Sequence, residues 1–260
     1  MATRKFRGIV LRRMALGEQD KIVTVFTRES GKVRVVAKGA RAARSRISGA
    51  TEPFCVIEGL VSEGNRLPVL SQAEVREAFP KLRTDYALVL RATYLCELLD
   101  RVTEDADPHV ELFDHLVRGL YHLPEAVQPD FVVHATEIRM LDSAGYAPRL
   151  DACVACGGVF RNSAPPVAFA PARGGALCAD CAEAAGPGLV PCDGAALRAF
   201  DRLALAEDTR ELLGGELPPA TMGTIHRLVR EHLRQRLDRE LKSSGFLDAL
   251  RLDETEQPSP

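Results

Sequence analysis

The chain has no tryptophan and only four tyrosines among its 260 residues. The first eighty residues carry only four phenylalanines, Phe6, Phe26, Phe54 and Phe79. An aromatic platform for stacking bases is therefore poorly supplied. No apolar run approaches the ~20 residues needed to cross a bilayer, so no membrane span and no membrane partner is expected. The basic start, residues 1–8, lacks a following apolar stretch, and no secretory leader is expected. A complete phosphate-binding loop is also missing. Ser30-Gly31-Lys32 resembles its end, but Phe26 stands where glycine is required and Val33 where Ser or Thr is required. Nucleotide hydrolysis thus has no support. The zinc-deaminase signature fails as well. His109-Val110-Glu111 has no proline-cysteine partner, because Ala152 and Leu177 precede the cysteine pairs. Glu111 fits the first turn of a helix, where the helix dipole favours an acid. The remaining histidines are scattered at helical positions without a third partner. No catalytic residue and no small-molecule substrate is expected.

What the chain does have is seven cysteines, four of them in two Cys-x-x-Cys pairs, Cys153 with Cys156 and Cys178 with Cys181. Two such knuckles are the ligand set of a structural zinc site, here one Zn2+ per chain. Four thiolates fill a tetrahedron and leave no position for water or substrate, so the expected metal holds the fold and does no hydrolysis. Glycines and prolines in the intervening segment suit two tight turns joined by a short ribbon. Cys55, Cys96 and Cys192 are left as reduced, partly buried thiols, which suits a reducing cytosol.

The net charge of −2 conceals an asymmetry. Residues 1–50 hold thirteen Lys or Arg against Glu18, Asp20 and Glu29, a local charge of +10, leaving −12 for the remainder. A polyanion-binding module attached to an acidic body is the reading this suggests.

The periodicity changes near Pro80. Before it, residues 4–13, 21–28, 32–38, 54–61 and 67–75 read as five strands, with turns at 17–20, at Glu29-Ser30-Gly31 and at Glu63-Gly64-Asn65. Five short strands suggest a compact barrel, for which an OB-fold is the commonest answer and an SH3-like barrel fits almost as well. After Pro80 the pattern is helical. Asp85 or Thr84 caps a helix to about residue 103, and Asp107 with Pro108 opens one to about 122. Pro129 and Asp130 open a third, ended by Gly145, and Asp193 caps a fourth to about 207. A fifth runs over about 219–241. The chain divides into a barrel over 1–80 and a helical domain over 81–250, with the zinc finger inserted at 150–190. Residues 251–260 form an acidic, proline-bearing tail expected to be disordered.

On the third strand Lys32, Arg34, Val36 and Lys38 share a face, and the loop beyond bears Arg41, Arg44 and Arg46. These charges are of one sign without interleaved acids, which favours a polyanion over a solvated surface. Near the C-terminus Arg227, Arg230 and Arg234 form a second, weaker stripe, as consistent with an ordinary exposed helix face as with DNA.

Several stretches together carry a resemblance. Gly17-Glu18-Gln19-Asp20-Lys21-Ile22-Val23-Thr24, continuing through Phe26-Thr27-Arg28-Glu29-Ser30-Gly31-Lys32, resembles the opening of the RecO family of DNA repair proteins. Ala37-Lys38-Gly39-Ala40-Arg41 with Ser45-Arg46, and Tyr94-Leu95-Cys96-Glu97-Leu98-Leu99-Asp100, do the same. So does Leu141 with Gly145-Tyr146-Ala147-Pro148, running into Cys153-Val154-Ala155-Cys156-Gly157. The match covers nearly all of residues 4–250, in order.

The resemblance implies an α+β multidomain protein, with an N-terminal five-stranded OB-fold β-barrel and a C-terminal helical domain holding an inserted four-cysteine zinc finger. It implies a non-enzymatic recombination mediator, cytoplasmic and nucleoid-associated. Such a mediator binds single-stranded DNA, anneals complementary strands without ATP and, with RecR, loads RecA on strands coated by single-strand-binding protein. Zinc ligands carry over to Cys153, Cys156, Cys178 and Cys181, and DNA contacts to Lys32, Arg34, Lys38 and Arg41, with Arg44 and Arg46 beside them. The alternative from composition alone is a zinc-ribbon nucleic-acid-binding adaptor of transcription or translation.

Overall fold

A computed structural model of the chain describes residues 3–62, 66–160, 165–206 and 209–256. The turn expected at Glu63-Gly64-Asn65 lies outside the described residues. Contacts divide the chain into two compact units, residues 1–124 with 241–260, and residues 125–240.

In the first unit β1 (Thr3–Leu16), β2 (Asp20–Thr27), β3 (Gly31–Ala37), β4 (Val56–Ser62) and β5 (Val69–Glu77) close a barrel in the order β1-β2-β3-β5-β4. Strand β1 is long because it serves two neighbours, pairing with β4 over Thr3 to Ile9 and with β2 over Gly8 to Leu16. At the overlap Gly8 leaves room that a Cβ would fill, 2.6 Å from Val25 Cγ1 and 2.9 Å from the Phe26 carbonyl. A register shift between Val10 and Arg12 adds the bend, as bulges do. The parallel pair Val36–Val69 joins β3 to β5. This five-stranded closure is an OB-fold, not the SH3-like alternative.

The period-two alternation sorts the strands. Phe6, Val10, Val23, Val25, Val35, Ala37, Ile57, Val61 and Leu70 fill the interior. Burying each of the larger aliphatic side chains contributes roughly 1.5–3 kcal/mol. On the outer side Ile9 and Phe26 are also fully buried, so part of that side is covered. Helices of the same unit pack on β1: α1 (Tyr86–Val102) and α2 (Val110–His122). Asp85 caps α1 as its pattern predicts, accepting from the Ala87 and Leu88 amides. Helix α2 differs from expectation. It starts at Val110, because the Asp107 carboxylate engages the His109 ring at 2.9 Å and leaves His109, without a side-chain cap bond, at the helix entrance.

The final helix, written α8, covers Lys242–Glu256 and packs on α1. Its N-terminus is capped across the unit by Glu97, which accepts from the Lys242 and Ser243 amides and the Ser243 hydroxyl. Arg91, nearly fully buried, reaches Glu254 at 2.6 Å. Residues 251–256 are therefore helical where the sequence suggested a tail, and the last four residues lie outside the described set. Composition marked them as solvated. It could not show that Arg91 supplies a partner for Glu254, 163 positions away.

The second unit is built on α3 (Pro129–Ser143), buried on nearly all sides, with β6 (Ala168–Ala170), β7 (Gly175–Leu177) and β8 (Val190–Pro191) in a small sheet ordered β7-β6-β8. The short α4 (Ala179–Ala185) follows β7, and α5 (Gly194–Leu205), α6 (Thr209–Gly214) and α7 (Pro219–Arg236) complete the unit. Asp193 caps α5 through the Ala196 amide, as expected. Helix α7 ends at Arg236, about a turn before the expected residue 241, where Leu237 takes extended backbone.

Candidate nucleic-acid interface and metal centre

Three rows of residues cross the outer side of β1, β2 and β3. Ile9, Phe26 and Lys32 form one, Arg12, Thr24 and Arg34 the next, and Met14, Ile22 and Val36 the third. The first row lies under the end of α1. Lys32 Nζ donates to the Asp100 and Thr103 carbonyls, both at 2.6 Å, and its side chain is 12% exposed. The chain after α1 also bonds to β3, since the Ala106 amide donates to the Lys32 carbonyl. In the second row Arg12 meets Asp100 at 2.7 Å and Arg34 meets Asp105 at 2.9 Å, both arginines remaining half exposed. Lys32 is thus placed inside the unit, against carbonyls where a helix end favours a cation. Strand alternation assigned its face correctly but could not reveal what covers that face.

The loop after β3 is different. It is pinned at several points. The Gly39 amide donates to Asp20 Oδ1 and the Arg41 amide to the Gln19 carbonyl, each at 2.8 Å. Ala40 and Ala50 are buried and Ile47 packs on the barrel core. The buried Lys21 Nζ holds the far end, donating to Thr51 Oγ1 and Glu52 Oε1 at 3.0 Å. From this anchored loop Lys38, Arg41, Arg44 and Arg46 stand exposed. Arg41 donates to the Gly17 carbonyl at 2.8 Å, whereas Lys38, Arg44 and Arg46 have no hydrogen bond or ion pair among the described residues. Lys21 escaped the sequence reading because a lysine within a cationic stretch carries no sign of burial.

In the second basic stripe only Arg234 is shown in ion pairs, while the other two arginines are engaged in other ways. Arg234 meets Glu231 and Glu240 at 2.8 Å, Arg227 donates to Thr224 Oγ1, and Arg230 is half buried with a partner of its own.

In the second unit the two cysteine pairs converge, and the Sγ atoms of Cys153, Cys156, Cys178 and Cys181 all lie within 4.8 Å of one another. A tetrahedral ion with metal–sulfur bonds of about 2.3 Å needs edges of about 3.8 Å. Cys156 and Cys178 stand 3.9 Å apart. The first knuckle closes through Gly157, at φ +77, whose amide donates to the Cys153 carbonyl. The second opens α4, where the Ala182 amide donates to the Cys178 carbonyl. Backbone bonds from Val154 to Ala176 and between Arg149 and Gly175 or its neighbours tie the knuckles together. Burial pushes the Cys153 thiol up, but the amides of Cys156, Cys178 and Ala155 outweigh it and bring it down to about 6. Cys181, sharing hydrogen bonds with Cys178 and partly buried, is pushed up to about 12. Four crowded sulfurs resist joint ionisation, and a divalent soft-accepting cation removes that conflict. The donor set fits a closed metal centre. His109 and Glu111 are not in this cluster.

The barrel matches the family model for the recombination protein O N-terminal domain over residues 1–79, and the remainder matches the C-terminal domain model over residues 83–245. The chain belongs to the RecO family. A "DNA repair protein RecO" of Symbiobacterium thermophilum is 36% identical over 252 residues, covering 96% of this chain and 99% of that protein. RecO proteins of Roseiflexus and of an Anaeromyxobacter are 35% and 37% identical, each over 94% of this chain and 84% and 95% of their own lengths. Among the described residues no helix is long and apolar enough to cross a membrane.

Proposed function

We propose that this RecO-family protein is a DNA repair and recombination mediator with no chemistry of its own. It binds single-stranded DNA and anneals complementary strands. With RecR it promotes loading of RecA on strands coated by single-strand-binding protein, in the cytoplasm at the nucleoid. The observation that carries the reading is the anchored loop presenting Lys38, Arg41, Arg44 and Arg46 beside an OB-fold barrel, three of the four without a protein partner among the described residues. Unpaired cations held on a rigid scaffold are placed for phosphates, and their counterion release drives binding. Two DNA strands repel each other. A surface that neutralises phosphates on both lowers the cost of their encounter, and base pairing supplies the driving force.

Zinc is the ion we assign to Cys153, Cys156, Cys178 and Cys181. Four thiolates in a tetrahedron suit it, and its coordination would be complete. Its role is to hold the small sheet and knuckles together, not to act on DNA.

Binding of single-stranded DNA, duplex DNA and RNA of equal length and matched sequence, at one salt concentration, tests the reading. Tight binding to single-stranded DNA, lost on reversing Lys38 and Arg44 to Glu, supports it. A clear preference for RNA would favour a transcription or translation adaptor instead.

A further inference from the structure

The turn Gly17-Glu18-Gln19-Asp20 between β1 and β2 ties down the cationic loop, and it uses an acid to do so. The β2–β3 ladder ends at the pair Lys21–Ala37. Beyond it the chain enters residues 38–55, the connection to β4. That is longer than the ~15 residues at which such connections become uncommon. Two residues past the ladder the Gly39 amide, on left-handed backbone at φ +64, donates to Asp20 Oδ1 at 2.8 Å. The Arg41 amide then meets the Gln19 carbonyl and its guanidinium the Gly17 carbonyl, both at 2.8 Å. Of these three ties, the one at Gly39 alone depends on an acceptor side chain. Asp20 is itself fixed, because it closes the β1–β2 ladder opposite Leu16. The next residue of β2, Lys21, holds the far end of the loop through Thr51 and Glu52.

Charge makes the acid unexpected. Residues 1–50 hold only Glu18, Asp20 and Glu29 against thirteen cations, and Asp20 is bonded between Lys38 and Arg41. A carboxylate within a Debye length of bound phosphates, about 8 Å at physiological salt, opposes a polyanion. Its neighbour Glu18 supplies a comparison. Glu18 lies in the same turn, is exposed, and has no hydrogen bond or ion pair among the described residues.

We propose that Asp20 is a positioning residue, whose carboxylate fixes where Lys38 and Arg41 leave the barrel and so strengthens polyanion binding although its charge opposes it. The inference rests on the DNA-binding reading above and names what orders the loop before a ligand arrives. Like charges on an untied loop repel one another and must be ordered as phosphates bind. Each long side chain ordered at that step weakens binding about twofold to tenfold. Positioning and electrostatics therefore predict opposite signs when the acid is removed.

The test uses the full chain, oligothymidylate as ligand, and trypsin as a probe of the loop. Asp20→Ala should bind about fivefold more weakly, although it removes a negative charge. Its log–log salt slope should keep the wild-type value, because no phosphate contact is lost. Trypsin should cut this variant faster after Arg41, Arg44 and Arg46, and elsewhere as it cuts the wild type. Asp20→Asn keeps an oxygen that accepts from the Gly39 amide, so it should bind at least as tightly as the wild type and resist cleavage equally. Glu18→Ala, which removes a charge and no tie, should also bind at least as tightly. Asp20→Ala binding as tightly as Glu18→Ala would overturn the proposal, as would failure of Asp20→Asn to restore affinity. Cleavage of Asp20→Ala throughout the chain would overturn it too, since the residue would then hold the barrel and not the loop. A wild type that binds no oligothymidylate would be a separate result, overturning the DNA-binding reading itself.

Discussion

Lys32 Nζ lies 2.6 Å from the Asp100 carbonyl and 3.4 Å from the same residue's Oδ1, while Arg12 Nε takes Asp100 Oδ2 at 2.7 Å. One aspartate on α1 thereby holds two strands of the barrel. Two cations of the basic segment, among them the candidate DNA contact Lys32, are engaged by it before any ligand arrives.

Lys32→Met should therefore behave as a stability variant. Losing charge-assisted bonds at a nearly buried site costs about 1.5–3 kcal/mol. Chemical denaturation should show that loss, while single-strand affinity measured on folded protein changes little. A large affinity loss with unchanged stability would return Lys32 to the DNA surface.

Gly31 and Gly39 both take left-handed backbone, at φ +65 and +64. A Cβ at Gly31 would also collide with the Asp107 backbone, whereas one at Gly39 meets nothing within 4 Å. Gly39→Ala should lower stability by about 1–2 kcal/mol through its left-handed backbone alone, and Gly31→Ala by clearly more. Equal melting temperatures for the two variants would contradict the close packing of the 103–107 segment on β3.

His232 should make the second unit acid-sensitive. Burial, with Arg236 adding to it, holds its pKa below 6.5 despite the bond between Nε2 and the Tyr146 carbonyl. Nε2 donates to that carbonyl, and Nδ1 is buried with no hydrogen-bond partner among the described residues, so a second proton would meet no acceptor there. The unfolded state takes up that proton first. Stability from this group is fully present above pH 6.5 and is lost as pH falls through the depressed native pKa, by at most about 1.4 kcal/mol per pH unit. Thermal melts from pH 7.5 to 5 should show the decline. His232→Gln should flatten the contribution, and an unaltered profile would remove His232 as its cause.

Metal analysis of reduced, purified protein should return one zinc per chain. Cys156→Ser should lower stability and solubility more than single-strand affinity, because metal binding in such sites contributes on the order of 10 kcal/mol to the local fold. A metal content well below one per chain would contradict the assignment.

Patterns that act over a few residues were legible in the sequence. Alternation marked all five strands and assigned Lys32 and Arg34 to the outer side. The caps Asp85 and Asp193 marked two helix starts, and two Cys-x-x-Cys pairs marked the sulfur cluster. What was hidden depends on distant partners. Asp100 claims Lys32 from 68 positions away, Glu97 caps α8 from 146 positions away, and Arg91 accompanies that helix past residue 250. The entrance of α2 was misplaced by a local competition, since Asp107 engages the His109 ring. The short α4 and the three-residue strands near the cysteines are stabilised by the knuckles, and periodicity has too few residues there to register.

The central claim is that an exposed, anchored cationic loop anneals DNA without nucleotide. The most direct measurement is the annealing rate of complementary strands by wild type and by a Lys38→Glu, Arg44→Glu, Arg46→Glu variant, across salt and with or without ATP. The account predicts that wild-type annealing ignores ATP and falls with salt in step with binding. With about four phosphate contacts, the log–log slope for single-strand binding should be about −3. The variant should lose both annealing and most of that slope. Annealing that required ATP, or that survived in the variant, would contradict it.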